Sequence, residues 1–80
     1  MTYSEAIIKR VMFFCADRNI TVNKLATLSG MKQSTLENIV KGHTKNPSLR
    51  TLHRLSQGLE MSLSEFLDFP EMSEVAFEDD

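Results

Sequence analysis

The stretch that most constrains this chain is Thr21 to Gly42, TVNKLATLSGMKQSTLENIVKG. It predicts two short helices joined by a tight turn. Thr21 is a good N-cap, because its hydroxyl can accept an orphan amide of the first helical turn. Leu25, Ala26 and Leu28 supply the apolar side of the first helix. Ser29-Gly30 closes it, since glycine enters the left-handed region without steric cost. Met31 is the apolar residue of the turn, and a helix resumes near Lys32 or Gln33.

That second helix has two faces. At about 100° per residue, Gln33, Ser34, Glu37, Asn38 and Lys41 share an arc of roughly 140°. Leu36, Ile39 and Val40 fall opposite. Amide side chains present a donor and an acceptor together, which bidentate reading of an adenine edge requires. Taken alone, the same face also reads as an ordinary solvated surface.

The rest of the chain is read around this unit. Thr2-x-x-Glu5 has capping-box spacing, and helix 1 is expected over Ser4 to Asp17, with Asn19 taking the left-handed turn. Its apolar face is expected to comprise Ile7, Ile8, Val11, Met12, Phe14 and Cys15, with Lys9 and Arg10 off it. Helix 2 spans Val22 to Ser29 and helix 3 Gln33 to Lys41. After a loop with Pro47, Ser48 caps helix 4, whose stripe is Leu49, Leu52, Leu55 and Leu59. Ser62-x-x-Glu65 repeats the box and opens a short fifth helix through Phe66 and Leu67. The phenylalanines and methionines read as packing. No strand pattern interrupts this order, so an all-α domain is expected.

At 80 residues there is room for one core and no deep cleft beside it. A lone cysteine, Cys15, forms no internal disulfide, and no Cys/His cluster suggests a metal. The apolar runs are short, so neither a signal peptide nor a membrane span is expected, and a cytoplasmic protein is. The net charge of -2 is unevenly spread. Between Lys24 and Arg54 stand six bases and one acid, Glu37, whereas Glu71 to Asp80 carries five acids and no base. Residues 1–70 therefore carry +3, and local field matters more for phosphate contact than the total does. The expected division is a DNA-binding domain over 1–70 and an acidic tail over 71–80.

The span Ile20 to Leu67 resembles the Cro/C1-type (Xre-like) helix-turn-helix family. The matching residues include Thr21, Leu25-Ala26, Gly30-Met31, Gln33-Ser34-Thr35-Leu36, Ile39, Gly42, Asn46-Pro47-Ser48, Thr51-Leu52, Leu59 and Ser62-Leu63. The resemblance implies a compact five-helix, lambda-repressor-like domain, with helix 3 in the major groove reading about four or five base pairs per subunit. By position, Gln33, Ser34, Glu37 and Asn38 become the base-edge readers. Thr21, Asn23, Lys24, Lys32, Thr35, Lys41, Lys45, Asn46 and Arg50 become the DNA-backbone contacts. A homodimer on a pseudo-palindrome is also implied, and Phe66, Leu67, Phe69 and Met72 are the residues available either for that interface or for closing the monomer core. Departures are Val22, where relatives often carry a phosphate-bracketing glutamine, Val40 for a common glutamate, and Gly58 for alanine, read as a mid-helix glycine. Glu60 stands where glycine is common, so helix 4 is expected to end differently, because a left-handed glutamate is costly.

The function expected is a sequence-specific double-stranded DNA-binding regulator of repressor type, with no cofactor and no small-molecule site. The alternative is a protein-interaction module on the same fold, an antitoxin or a repressor antagonist. An enzyme fits poorly, since His43 and His53 have no nucleophile or acid at motif spacing. The tail reads as a solvated terminus, or as a segment that docks through Met72, Val75 and Ala76 and competes with DNA for the basic face.

Overall fold

In the computed structural model, which describes residues 1–76, the helices run α1 Tyr3–Arg18, α2 Val22–Leu28, α3 Gln33–Val40, α4 Leu49–Gly58 and α5 Leu63–Leu67, and a 3-10 turn follows at Pro70–Glu74. Four helices begin as their sequences dictate. Thr2, Thr21, Ser48 and Ser62 each accept an amide three residues on, and Thr2–Glu5 and Ser62–Glu65 form reciprocal boxes. In each box the carboxylate also accepts from the cap's backbone amide, which holds Glu5 and Glu65 below the usual carboxylate range.

The ends of α2, α3 and α4 share one geometry. The amide two residues past the cap returns to the third-last helical carbonyl: Met31 to Ala26 at 3.0 Å, His43 to Asn38 at 2.9 Å and Met61 to Ser56 at 2.9 Å. The residue between must be left-handed, and it is Gly30 (φ 69°), Gly42 (φ 79°) and Glu60 (φ 59°). The end of α4 is therefore not altered to suit Glu60. The turn is kept because Met61 tucks against the core behind it, and the glutamate bears the strain. Left-handed backbone costs a side-chain-bearing residue about 1–2 kcal/mol, against about 0.5–1 for the entropy of glycine. Glu60→Gly is expected to add about 1 kcal/mol, raising Tm by about 4–8 °C; a thermal melt with no rise would show that the turn relaxes around glutamate without strain.

The core joins α1 to α5: Ile7, Val11, Phe14, Cys15, Leu25, Ala26, Leu36, Ile39, Leu52, Leu55, Leu59 and Phe66 are buried in one cluster. Several expectations fail at its edges. Leu28 and Leu49 are 49% and 66% exposed, because α2 and α4 each turn that residue outward. Met12 and Phe13 on α1 are 45% and 54% exposed, so the phenylalanines and methionines are not all packing residues. Gly58 is the last residue of α4 rather than a mid-helix glycine. A Cβ there would collide with Ser29 Oγ and lie 3.0 Å from Ser29 Cα, so α4 crosses the end of α2 too closely for a side chain to enter without a shift of Ser29.

Arg10 is the largest departure. It does not stand off the apolar face but reaches the end of α5, donating through Nε to Phe66 O (2.8 Å) and through an amino group to Glu65 O (2.8 Å). Its guanidinium also lies 4.4 Å from the Phe14 ring and 4.8 Å from that of Phe69. Phe66 and Phe69 are buried, and Leu67 and Met72 pack on the core. These four residues close the monomer. The 3-10 turn, which carries Met72, lies against α1, with Glu71 3.1 Å from Lys9, and beyond it the Ala76 amide donates to Met1 O at 3.0 Å. The tail thus docks as far as Ala76, and its last four residues lie outside the described part.

Candidate nucleic-acid interface

α2 and α3 form the two-helix unit that the Thr21–Gly42 stretch predicts, joined by a turn of three residues before the Lys32 cap. Leu36 and Ile39 are buried and Val40 packs against the core, which fixes the rotation of α3 about its axis. The opposite side then faces outward. Gln33, Ser34 and Asn38 are exposed there, and Glu37 is half-buried beside them. Glu37 and Lys41 are paired at 2.5 Å along this face, one turn apart, and that hydrogen bond holds the Glu37 carboxyl below its usual range. Gln33, Ser34 and Asn38 make no side-chain hydrogen bond within the described residues, so their polar groups stand ready for another molecule.

The residues expected to flank a duplex are spread over α3 and the elements on either side of it in the chain. Thr21, Asn23 and Lys24 lie at the start of α2, Lys32 at the N-cap of α3 and Thr35 on its first turn, and Lys41, Lys45 and Asn46 beyond its end. All of them, and Arg50 at the start of α4, are exposed. The loop after α3 is drawn in tightly, because the Asn38 carbonyl accepts from both His43 and Thr44 amides at 2.9 and 3.1 Å. Thr21 Oγ1 accepts the Lys24 amide at 3.0 Å as it caps α2, which leaves the hydroxyl's own proton uncommitted by the cap. Val22, in place of the usual glutamine, packs against the core. Lys32 caps α3 through its backbone only, with no side-chain hydrogen bond to the first-turn amides.

Arg54 and Thr51 were not singled out as contacts from the sequence. They line, with Lys32, Thr35 and Arg50, a cleft of about 490 Å³ between α3 and α4. Arg54 donates to the Gly30 carbonyl at 3.3 Å and so ties α4 to the α2–α3 turn. The available signal was the one-turn spacing of Arg50 and Arg54, which puts both on one side of α4.

The described residues include no group of His, Cys, Asp and Glu that could hold a metal, and no helix long and apolar enough to cross a membrane. Cys15 is buried, and burial raises its thiol pKa, which disfavours the reactive thiolate.

A family model described as the Cro/C1-type helix-turn-helix DNA-binding domain matches residues 13–71. Among solved structures, the crystal structure of the prophage Lp1 protein 11 is similar, with a TM-score of 0.80 and 33% identity, over 94% of this chain and 99% of that one. No curated protein matches the chain. With the expected fold in place and the family match covering both helices of the unit, the chain belongs to the Cro/C1-type helix-turn-helix DNA-binding domain family.

Proposed function

We propose that this protein is a sequence-specific transcriptional regulator of the repressor type that places α3 in the major groove of double-stranded DNA. The observation that carries the reading is the outward face of α3: Gln33, Ser34 and Asn38 exposed together on a helix whose other side is locked into the core. Gln33, Ser34, Glu37 and Asn38 contact base edges. Thr21, Asn23, Lys24, Lys32, Thr35, Lys41, Lys45, Asn46 and Arg50 hold the phosphate backbone on either side. Phosphate contacts position such a protein, whereas base contacts specify the site. A homodimer on half-sites about 34 Å apart would use two copies of this face. The DNA-binding domain is assigned to residues 1–70, and the acidic segment 71–80 adds to it a docked first part, with Met72 on the core and Glu71 paired with Lys9.

The test is selection of a preferred site from random duplexes, followed by Gln33→Ala. Losing one bidentate partner is expected to cost about 1–3 kcal/mol on the selected site and to relax preference at one base pair. An unchanged selected sequence would remove Gln33 from the readers. Failure of the parent protein to bind any duplex at low salt would remove the reading itself.

A second reading, a protein-interaction module such as an antitoxin or a repressor antagonist, draws on a different surface. Met12 and Phe13 stand exposed on α1, and Phe13 lines a groove of about 290 Å³ with Phe69 and Pro70. Loss of a bound partner protein on Phe13→Ser, with duplex affinity unchanged, would establish it.

A further inference from the structure

We infer that the cleft between α3 and α4 is a phosphate-binding site in which Arg54, Arg50 and Lys32 converge on one phosphodiester oxyanion of the bound duplex. The inference rests on the DNA-binding reading, and it adds a specific pocket and Arg54 to it. Three cations and two hydroxyls, Thr35 and Thr51, line the cleft, and among the described residues no acid does. Like charges that line one cleft repel one another, and an anion seated among them removes that repulsion. Hydroxyl donors beside guanidinium forks suit the several oxygens of a phosphate. Arg54 commits one amino group to the Gly30 carbonyl. A guanidinium carries five N–H donors, so the rest of its fork stays available while that bond holds it in place.

Position favours the duplex as the source of the phosphate. Lys32 and Thr35 border Gln33 and Ser34 in sequence, Lys32 as the N-cap of α3 and Thr35 on its first turn. A strand that passes the reading face therefore carries its phosphates past the mouth of the cleft. The cleft is open to the surface and suits a group presented on a polymer.

The experiment compares the full chain with Arg50→Gln, Arg54→Gln and the double variant. Duplex affinity is measured at several salt concentrations, and thermal melts confirm that each variant is folded. Each phosphate contact contributes about 0.9 to the slope of log affinity against log salt. The double variant is expected to lose about one unit of slope and about tenfold in low-salt affinity. Arg50→Gln leaves the Gly30 bond intact, so its effect reads the cleft even if Arg54→Gln disturbs the turn.

A second arm titrates inorganic phosphate into the protein without DNA and follows backbone amide resonances of Gly30, Lys32, Thr35 and Arg54. Shifts that saturate and vanish in the double variant, alongside an unchanged salt slope, would move the site from duplex phosphate to a free phosphate ligand and overturn the assignment to DNA. An unchanged slope with no shifts would overturn the site altogether. If the parent protein binds no duplex, the DNA reading fails separately, and the phosphate titration alone decides whether the cleft binds an anion.

Discussion

Replacing Phe66 with alanine is expected to destabilise the protein by about 3–5 kcal/mol, the usual cost of emptying a buried aromatic site. Phe66 is completely buried and stacks on Phe14, with ring centroids 6.1 Å apart and an interplanar angle of 23°. It also sits in the five-residue helix α5, which is too short to persist by helix propensity alone. The capping box sets where α5 starts, but burial of Phe66 is what keeps it on the body. A chain of this size has about 4–12 kcal/mol in all, so Phe66→Ala should stand at the edge of folding at 25 °C. Urea denaturation would show the midpoint collapsing. Phe66→Leu, which keeps most of the volume, should lose about 1.5 kcal/mol or less. A midpoint for the alanine variant close to that of the parent would mean that α5 unfolds independently and that the core ends at α4.

The second large effect is expected at Arg10. Its Nε and one amino group donate to the Phe66 and Glu65 carbonyls at 2.8 Å, and the same amino group lies 3.4 Å from the Asp68 carbonyl. These carbonyls belong to the end of α5 and the residue after it, where helical partners run out. A cation there satisfies them and opposes the negative end of the peptide dipoles. The rings of Phe14 and Phe69 lie against the guanidinium at 4.4 and 4.8 Å, and that of Phe13 stands at 5.9 Å. Burial lowers the Arg10 pKa, and Asp68 and Glu71 partly restore it, which leaves the group charged at any neutral pH because arginine titrates so high. Hydrogen bonds to a charged donor contribute about 1.5–3 kcal/mol, and ring stacking about 0.5–1 more. Arg10→Ala should therefore cost about 2–4 kcal/mol.

Lysine distinguishes geometry from charge at this position. An ammonium on a flexible stem cannot hold the Nε and amino-group bonds at once in the planar fork that arginine supplies. Arg10→Lys is expected to recover less than half of the loss in a urea titration. Full recovery would show that charge alone ties α1 to α5. A loss below about 0.5 kcal/mol for Arg10→Ala would place the bonds among weak surface interactions.

Much of this fold was legible because the signals that start and stop helices act over three to five residues. Thr2, Thr21, Ser48 and Ser62 cap what they precede, and Asn19, Gly30 and Gly42 take the left-handed positions their side chains permit. The outward direction of Gln33, Ser34 and Asn38 was legible for a related reason. Leu36 and Ile39 are three residues apart on a helix, so burying them leaves only one direction for the amides. Glu60 was misread because the local cost was visible, while the packing of Met61 that outweighs it was not. Leu28 and Leu49 were misread as well, since apolarity says that a residue prefers burial but not whether another helix covers it.

By itself, then, the sequence determined the five helices, their caps and the polar face of α3, because hydrogen bonds within a turn and the helical repeat are local. Only the tertiary structure decided that Arg10 holds the end of α5 from 55 and 56 residues away. It likewise decided that Gly58 exists to let α4 cross Ser29, and that Lys32, Arg50 and Arg54 share one cleft. Those relations depend on how the helices cross, and crossing is set by the packing of the whole core at once.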